Sequence, residues 1–146
     1  MSTVTALPAP IALTPGEHLR GRLAVAAAHL LTAALGKHPA RLHQVLTFSA
    51  RGAAPAPYEQ AEHARDVVTT LSPRCGSGYG CLPRSIATAL LCRQYGTWPT
   101  WKSGVRFPPL ASHAWIEADA RPVAEEPAVI ATFTPILTIT PGESTP

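Results

Sequence analysis

Cys81 is the residue of this chain whose position most favours covalent chemistry. It follows a glycine-rich segment, 74–80, and precedes Pro83 and an apolar helical pattern through Gln94, so we expect it in the first turn of a helix. There the positive end of the helix dipole and unpaired backbone amides favour a thiolate over a thiol. The glycines would let a peptide approach the sulfur closely. The position indicates a nucleophile, although a lone cysteine at a helix start is more often a small buried hydrophobe.

A nucleophilic cysteine needs a general base, and His113 is the histidine best placed to supply one. It lies near the start of an alternating segment, 112–118, which predicts a β-strand. A strand packed against the cysteine helix would bring the imidazole to the sulfur, where it could take a proton and return it to a leaving amine. The other histidines lie in the helical N-terminal half, where we expect structural roles.

A carboxylate that orients the histidine would complete such a site, and two glutamates are placed to provide it. Asp119 and Ala120 predict a two-residue hairpin turn after the strand. Continuing the register of that hairpin puts Glu126 opposite His113, and a slip of one residue puts Glu125 there instead. The pattern of residues leaves both glutamates open.

The elements that must position these residues are helices first and strands afterwards. Thr14, Pro15 and Glu17 predict a capping box at the first helix start, and Gly36 predicts a left-handed stop. Helices are predicted over 15–35, 39–50, 58–71 and 81–94, and strands over 101–107, 112–118, 121–124 and 129–139. This order predicts an α+β fold, with N-terminal helices plus a nucleophile-bearing helix packed on a small antiparallel β-sheet.

The length and composition fit a single domain over residues 1–146. The chain has 46% apolar and 14% charged residues, which is enough apolar material for one core. Within that domain we expect an extended arm, a helical part, a part with the catalytic helix and the sheet, and a tail. The arm covers 1–13, the helical part 14–72, the part with the catalytic helix and the sheet 73–140, and the tail 141–146.

Charge and cysteine content exclude several classes of protein. The net charge of +3 is spread along the chain, which does not indicate a nucleic-acid partner. The longest apolar stretch, 23–36, is shorter than the ~20 residues a membrane span requires. Three cysteines without a secretory segment predict a reducing compartment, the cytoplasm.

Several short blocks in the right order give residues 74–127 a resemblance to a known family. They are similar to the stand-alone leader peptidases of lasso-peptide biosynthesis, a branch of the transglutaminase-like, papain-related cysteine peptidase superfamily. The blocks are Gly80-Cys81-Leu82, Arg84-Ser85, the segment 87–93, Trp98-Pro99-Thr100-Trp101, Gly104-Val105-Arg106 and His113-Ala114-Trp115-Ile116-Glu117.

The resemblance implies a papain-like core with a catalytic triad of Cys81, His113 and Glu125. It implies removal of the leader from a ribosomally made precursor peptide, which frees an amine for macrolactam closure by a separate cyclase. It also implies a separate PqqD-like leader-recognition protein as partner, and no cofactor or metal. Two positions depart from the family pattern, since many relatives have Asp as the acid and Gln in place of Pro83.

Some interpretations stay open. The chain could be an inactive relative that docks precursor and cyclase together, or an acyl transferase that uses an amine instead of water. Trp98 and Trp101 could line a peptide groove or fill the core. Cys75, in the glycine-rich loop, could approach Cys81 as a disulfide or zinc partner, whereas Cys92 is expected in the core.

Overall fold

The computed structural model describes residues 9–142, in which helices precede the main sheet. The helices are α1 (Pro15–Leu35), α2 (Pro39–Ala50), α3 (Tyr58–Leu71), α4 (Pro73–Gly76), α5 (Cys81–Gln94) and α6 (Pro127–Ile130). The strands are β1 (Ala54–Pro55), β2 (Thr97–Trp98), β3 (Thr100–Arg106), β4 (Ala111–Ala118), β5 (Arg121–Pro122) and β6 (Thr134–Ile139). The predicted α+β class, with N-terminal helices and a small antiparallel sheet, is confirmed.

The predicted arm and tail are only partly described. Residues 9–14 form neither helix nor strand, and the Ile11 amide donates a hydrogen bond to Thr70 Oγ1 in α3 (3.1 Å). Positions 1–8 of the arm and 143–146 of the tail lie outside the described residues. Between residues 9 and 142, no helix has both the length and the apolar character that crossing a membrane would demand.

Helix α1 spans the predicted residues, but its C-terminal cap differs from the predicted one. The Glu17 amide donates to Thr14 Oγ1 (3.1 Å), and the Thr14 amide donates to the Glu17 carboxylate (3.0 Å), which completes the capping box. Gly36 is not the left-handed stop that we predicted, since its φ and ψ are −59° and −26°. Helix α1 ends at Leu35, and the backbone departs from helical angles at His38, because Pro39 disfavours the helical region for the residue before it.

The main sheet is antiparallel, with strand order β5-β4-β3-β6. Asp119 and Ala120 form the predicted hairpin turn, and their φ angles of 52° and 60° are both left-handed, as a tight two-residue turn between such strands requires. Ala118 pairs with Arg121, also as predicted. The Asp119 carboxylate accepts a hydrogen bond from the Tyr58 amide (3.0 Å), which ties the turn to the start of α3.

Two predicted strands are shorter than expected. The return strand ends at Pro122, because Ala124 has a φ of 53°, outside the extended region. The predicted strand over 129–139 is wrong in its first half, where Pro127 opens the helical turn α6. The second half of that segment is extended and forms β6. This strand tolerates Pro135 because it lies at the edge of the sheet.

Trp98 and Trp101 belong to the hydrophobic core. Both are 0% exposed. Trp98 Nε1 donates to the Ile139 carbonyl (3.3 Å), and Trp101 Nε1 donates to Ser85 Oγ (3.0 Å). The unpredicted strand β1 pairs in parallel with β2 beside Trp98. The bond between Trp101 and Ser85 fastens α5, which carries Cys81, to the sheet that carries His113.

Candidate active site

Cys81 is the first residue of α5, as the sequence predicts. The helix begins here because the Gly80 carbonyl accepts its first hydrogen bond, from the Arg84 amide (2.9 Å), and because Pro83 occupies a first-turn position that needs no amide donor. The first-turn amides have no helical acceptor, so positive charge faces the thiol. Cys81 is partly buried, which leaves its sulfur within reach of a substrate.

The glycine-rich loop lies directly against the start of α5. A Cβ atom on Gly80 would come within 1.9 Å of the Arg74 carbonyl oxygen, so no other residue fits there. Gly78, in contrast, has nothing within 4 Å of such an atom. Position 80 therefore requires glycine because the Arg74 backbone packs against it. This reason is separate from the substrate access that the sequence suggested.

His113 is hydrogen-bonded to Glu125. Their Nε2 and Oε1 atoms are 3.1 Å apart, and each side chain is 19% exposed. His113 lies on β4, whereas Glu125 lies beyond the end of β5, where the left-handed Ala124 interrupts the ladder. That interruption turns Glu125 toward the imidazole, and Glu126 is exposed at the start of α6. The extended register, which placed Glu126 opposite His113, does not persist this far.

The Cys81 thiol interacts with the His113 imidazole. Burial raises the pKa of the thiol, but hydrogen bonds with the His113 side chain and the Ala114 amide outweigh burial, so the pKa falls below its ordinary value of 9.0. Because Nε2 is engaged with Glu125, Nδ1 is the ring nitrogen left for the sulfur.

The imidazole pKa moves in the opposite direction. Burial alone lowers the pKa of His113, but the hydrogen bonds with Cys81 and Glu125 raise it from 6.5 to about 9. A thiol whose pKa is lowered beside an imidazole whose pKa is raised favours transfer of the thiol proton to the imidazole, which gives a thiolate–imidazolium pair. The arrangement can therefore deliver a nucleophilic sulfur together with a proton for a leaving group.

Two arginines that the sequence reasoning gave no role stand around Glu125. Arg84 Nη2 lies 3.7 Å from Glu125 Oε1. Burial raises the pKa of Glu125, but His113, then Arg84 and Arg65, lower it below its usual value, so the carboxylate is charged. The sequence could have placed Arg84 near the site, because a residue three positions after Cys81 lies on the same helix face. Arg65 comes from α3, and no such spacing placed it there.

Two aromatic side chains pack against the imidazole of His113. The rings of His113 and Trp115 are 5.9 Å apart and nearly parallel, and Phe133 lies 5.5 Å from His113 on a tilted plane. Trp115 Nε1 donates to the Glu117 carboxylate (2.9 Å), which also pairs with Lys102 (3.1 Å). The imidazole is thus confined by rings that are themselves held in place. Sequence reasoning missed Phe133, which follows α6 and is distant along the chain.

The remaining cysteines are not part of this site. Cys75 lies in α4 and not in a mobile loop; it is 0% exposed, and burial raises its thiol pKa. Cys92 is also 0% exposed. All three cysteines are free. Within the part of the chain that the structure describes, no three His, Cys, Asp or Glu side chains converge to hold a metal ion.

Comparison with known proteins gives one match. The sequence model of the transglutaminase-like superfamily matches residues 24–138, a range that runs from within α1 to within β6 and includes Cys81, His113 and Glu125. No curated protein and no solved structure matches the chain significantly.

Proposed function

The chain belongs to the transglutaminase-like superfamily, and we propose that it is a cysteine peptidase that removes the leader from a ribosomally made lasso precursor peptide. The superfamily includes cysteine peptidases and acyltransferases. The observation that carries the proposal is the connected arrangement of Cys81, His113 and Glu125, with a lowered thiol pKa and a raised imidazole pKa. The resemblance of residues 74–127 to leader peptidases supports the choice of substrate.

The first half of the proposed reaction forms an acyl-enzyme. The Cys81 thiolate attacks the scissile carbonyl carbon, and the carbonyl oxygen takes up negative charge. The Cys81 amide, together with a neighbouring loop amide, would donate to that oxygen, because first-turn amides have no helical acceptor. The carbon–nitrogen bond then breaks, and the His113 imidazolium gives its proton to the departing amine. The leader remains attached to Cys81 as a thioester.

The second half releases the leader. His113, now neutral, takes a proton from a water molecule while the water oxygen attacks the thioester carbon. The carbon–sulfur bond breaks, the leader leaves as a free acid, and the thiolate–imidazolium pair is restored. Glu125 keeps its charge throughout, orients the imidazole through Nε2 and stabilises its protonated form.

The partners follow from the proposed substrate. We expect a separate leader-recognition protein to present the precursor and a separate cyclase to use the freed amine, as in the resembling peptidases. On this proposal the chain supplies the thiol, the imidazole and the carboxylate, and the recognition protein supplies affinity for the leader.

Cleavage of a precursor in the presence of its leader-recognition protein tests the proposal. Mass spectrometry should detect leader and core peptides with the natural chain, and neither with Cys81→Ala. Cys75→Ala is the matched control, because it removes a cysteine that lies outside the site. Continued cleavage by Cys81→Ala would contradict the assignment.

The same reaction separates hydrolysis from acyl transfer. With a primary amine added, a hydrolase releases the leader as an acid, whereas an acyl transferase releases it as the amide. Absence of any cleavage by the natural chain, with precursor and recognition protein both folded, would favour the docking subunit.

A further inference from the structure

Arg84 joins the two chain segments that flank the proposed nucleophile. Its side chain is 11% exposed. Nη1 donates hydrogen bonds to the carbonyl oxygens of Cys75 (3.0 Å), in α4, and Ser77 (3.1 Å), at the start of the glycine-rich loop that follows α4. Nη2 lies 3.7 Å from Glu125 Oε1. One guanidinium group therefore bridges the loop before Cys81 and the carboxylate that holds His113.

The position of Arg84 on the helix makes this bridge possible. It lies in the first turn of α5, where its amide forms the helix's first hydrogen bond with the Gly80 carbonyl. A residue three positions after Cys81 projects from the same side of the helix as the thiol. The loop also folds back on this turn at Gly80, which contacts the Arg74 carbonyl.

We propose that Arg84 is a positioning residue that holds the glycine-rich loop and Glu125 against the start of α5, and thereby sets the geometry of the Cys81–His113 pair. The proposal rests on the proposed function, since it assigns Arg84 to the same thiol chemistry. It requires arginine in particular. A planar guanidinium can serve two carbonyls and a carboxylate at once, whereas a lysine ammonium is a single point of charge on a flexible chain.

Arg93 provides a matched control within the same helix. Its guanidinium also donates to two backbone carbonyls, those of Ser49 (2.8 Å) and Arg51 (3.2 Å). These bonds tie the far end of α5 to the end of α2 and do not involve the proposed site. A purely structural arginine–carbonyl contact should therefore behave like Arg93.

The test measures how fast iodoacetamide alkylates Cys81 as a function of pH, resolved by peptide mass spectrometry, in the natural chain, Arg84→Met, Arg84→Lys and Arg93→Met. For Arg84→Met we expect the alkylation midpoint to rise by ~1 pH unit and the rate measured well below both midpoints to fall about tenfold. The alkylation midpoint of Arg84→Lys should lie between those of the natural chain and Arg84→Met. Arg93→Met should retain the pH profile of the natural chain. Thermal unfolding followed by circular dichroism confirms that each variant is folded.

Two results would overturn the role of Arg84. One is a natural profile in Arg84→Met, and the other is an equal shift in Arg93→Met, which would indicate a general loss of stability. If Arg84→Met does not fold, Arg84→Lys decides, with a fall of about threefold or more in rate expected and an unchanged rate contradicting the proposal. A midpoint near the ordinary 9.0 in the natural chain would instead overturn the proposed function, and the role of Arg84 with it.

Discussion

Helix α5 carries a cysteine near each end, and the two thiols have opposite properties. Cys81 begins the helix, is partly buried and has a lowered pKa. Cys92 lies in the last turn, is 0% exposed and has a pKa raised to about 12. Residue type and helix are the same, so the surroundings of each sulfur produce the difference.

Burial acts in the same direction on both thiols, and their partners differ. At Cys81 an imidazole and a backbone amide bond to the sulfur and outweigh burial. At Cys92 the Thr97 hydroxyl gives only a minor lowering against it. The helix dipole adds to the contrast, since it favours negative charge at the first turn and disfavours it at the last. A buried cysteine thus becomes reactive only where polar partners converge on it.

The largest expected effect is on thiol alkylation at pH 7. With a pKa of about 12, Cys92 has almost no thiolate, so we expect Cys81 to react with iodoacetamide more than about 10³-fold faster. Peptide mass spectrometry over time gives both rates in one sample. The unfolded chain in urea is the control, because all three cysteines should react alike there. Similar rates in the folded chain would remove the contrast between the two ends of α5.

A smaller effect is expected on the alkaline limb of the pH–rate profile for cleavage. Activity requires protonated His113, so it should fall as pH rises through about 9. The Glu125 carboxylate stabilises the imidazolium. Glu125→Gln should therefore move this limb to lower pH by ~1 pH unit or more, toward the ordinary histidine pKa of 6.5. Glu126→Gln, which changes an exposed neighbour, should leave the limb in place. A shift with Glu126→Gln alone would identify the other glutamate as the orienting acid.

The smallest effect is on stability. Cys92→Ser places a hydroxyl at a position that is 0% exposed, and we expect the free energy of unfolding to fall by about 1–3 kcal/mol. Cys81→Ser should cost less, because the hydroxyl there meets His113 and the Ala114 amide. Urea denaturation at pH 7 compares the two variants. A greater loss for Cys81→Ser would contradict the view that the polar partners of the first cysteine are stronger than those of the second.

Local signals predicted the elements well where residues act on their own backbone. The capping box of Thr14 and Glu17 and the hairpin turn at Asp119 and Ala120 are both present. The prediction of Gly36 as a left-handed stop was wrong, because Gly36 keeps right-handed helical angles at the end of α1. The helical turn at α6 was missed because Pro127 changes the course of a segment that otherwise alternates like a strand.

The site was less predictable than the elements. The hairpin register alone could not separate Glu125 from Glu126, since the left-handed Ala124 that ends the ladder has no glycine to signal it. Resemblance indicated Glu125, whose carboxylate lies 3.1 Å from His113. Arg65 and Phe133 come from elements distant along the chain, and no spacing rule connects them with Cys81.

The amino-acid sequence by itself determined where the helices and the central hairpin begin, and that Cys81 would stand at a helix start, because caps, prolines and turns act through bonds between near neighbours. Only the tertiary structure decided which glutamate meets His113, which arginines surround that glutamate and which partners lower the pKa of Cys81. Those properties depend on burial and on distances between groups far apart along the chain. They exist only once the sheet packs on α5.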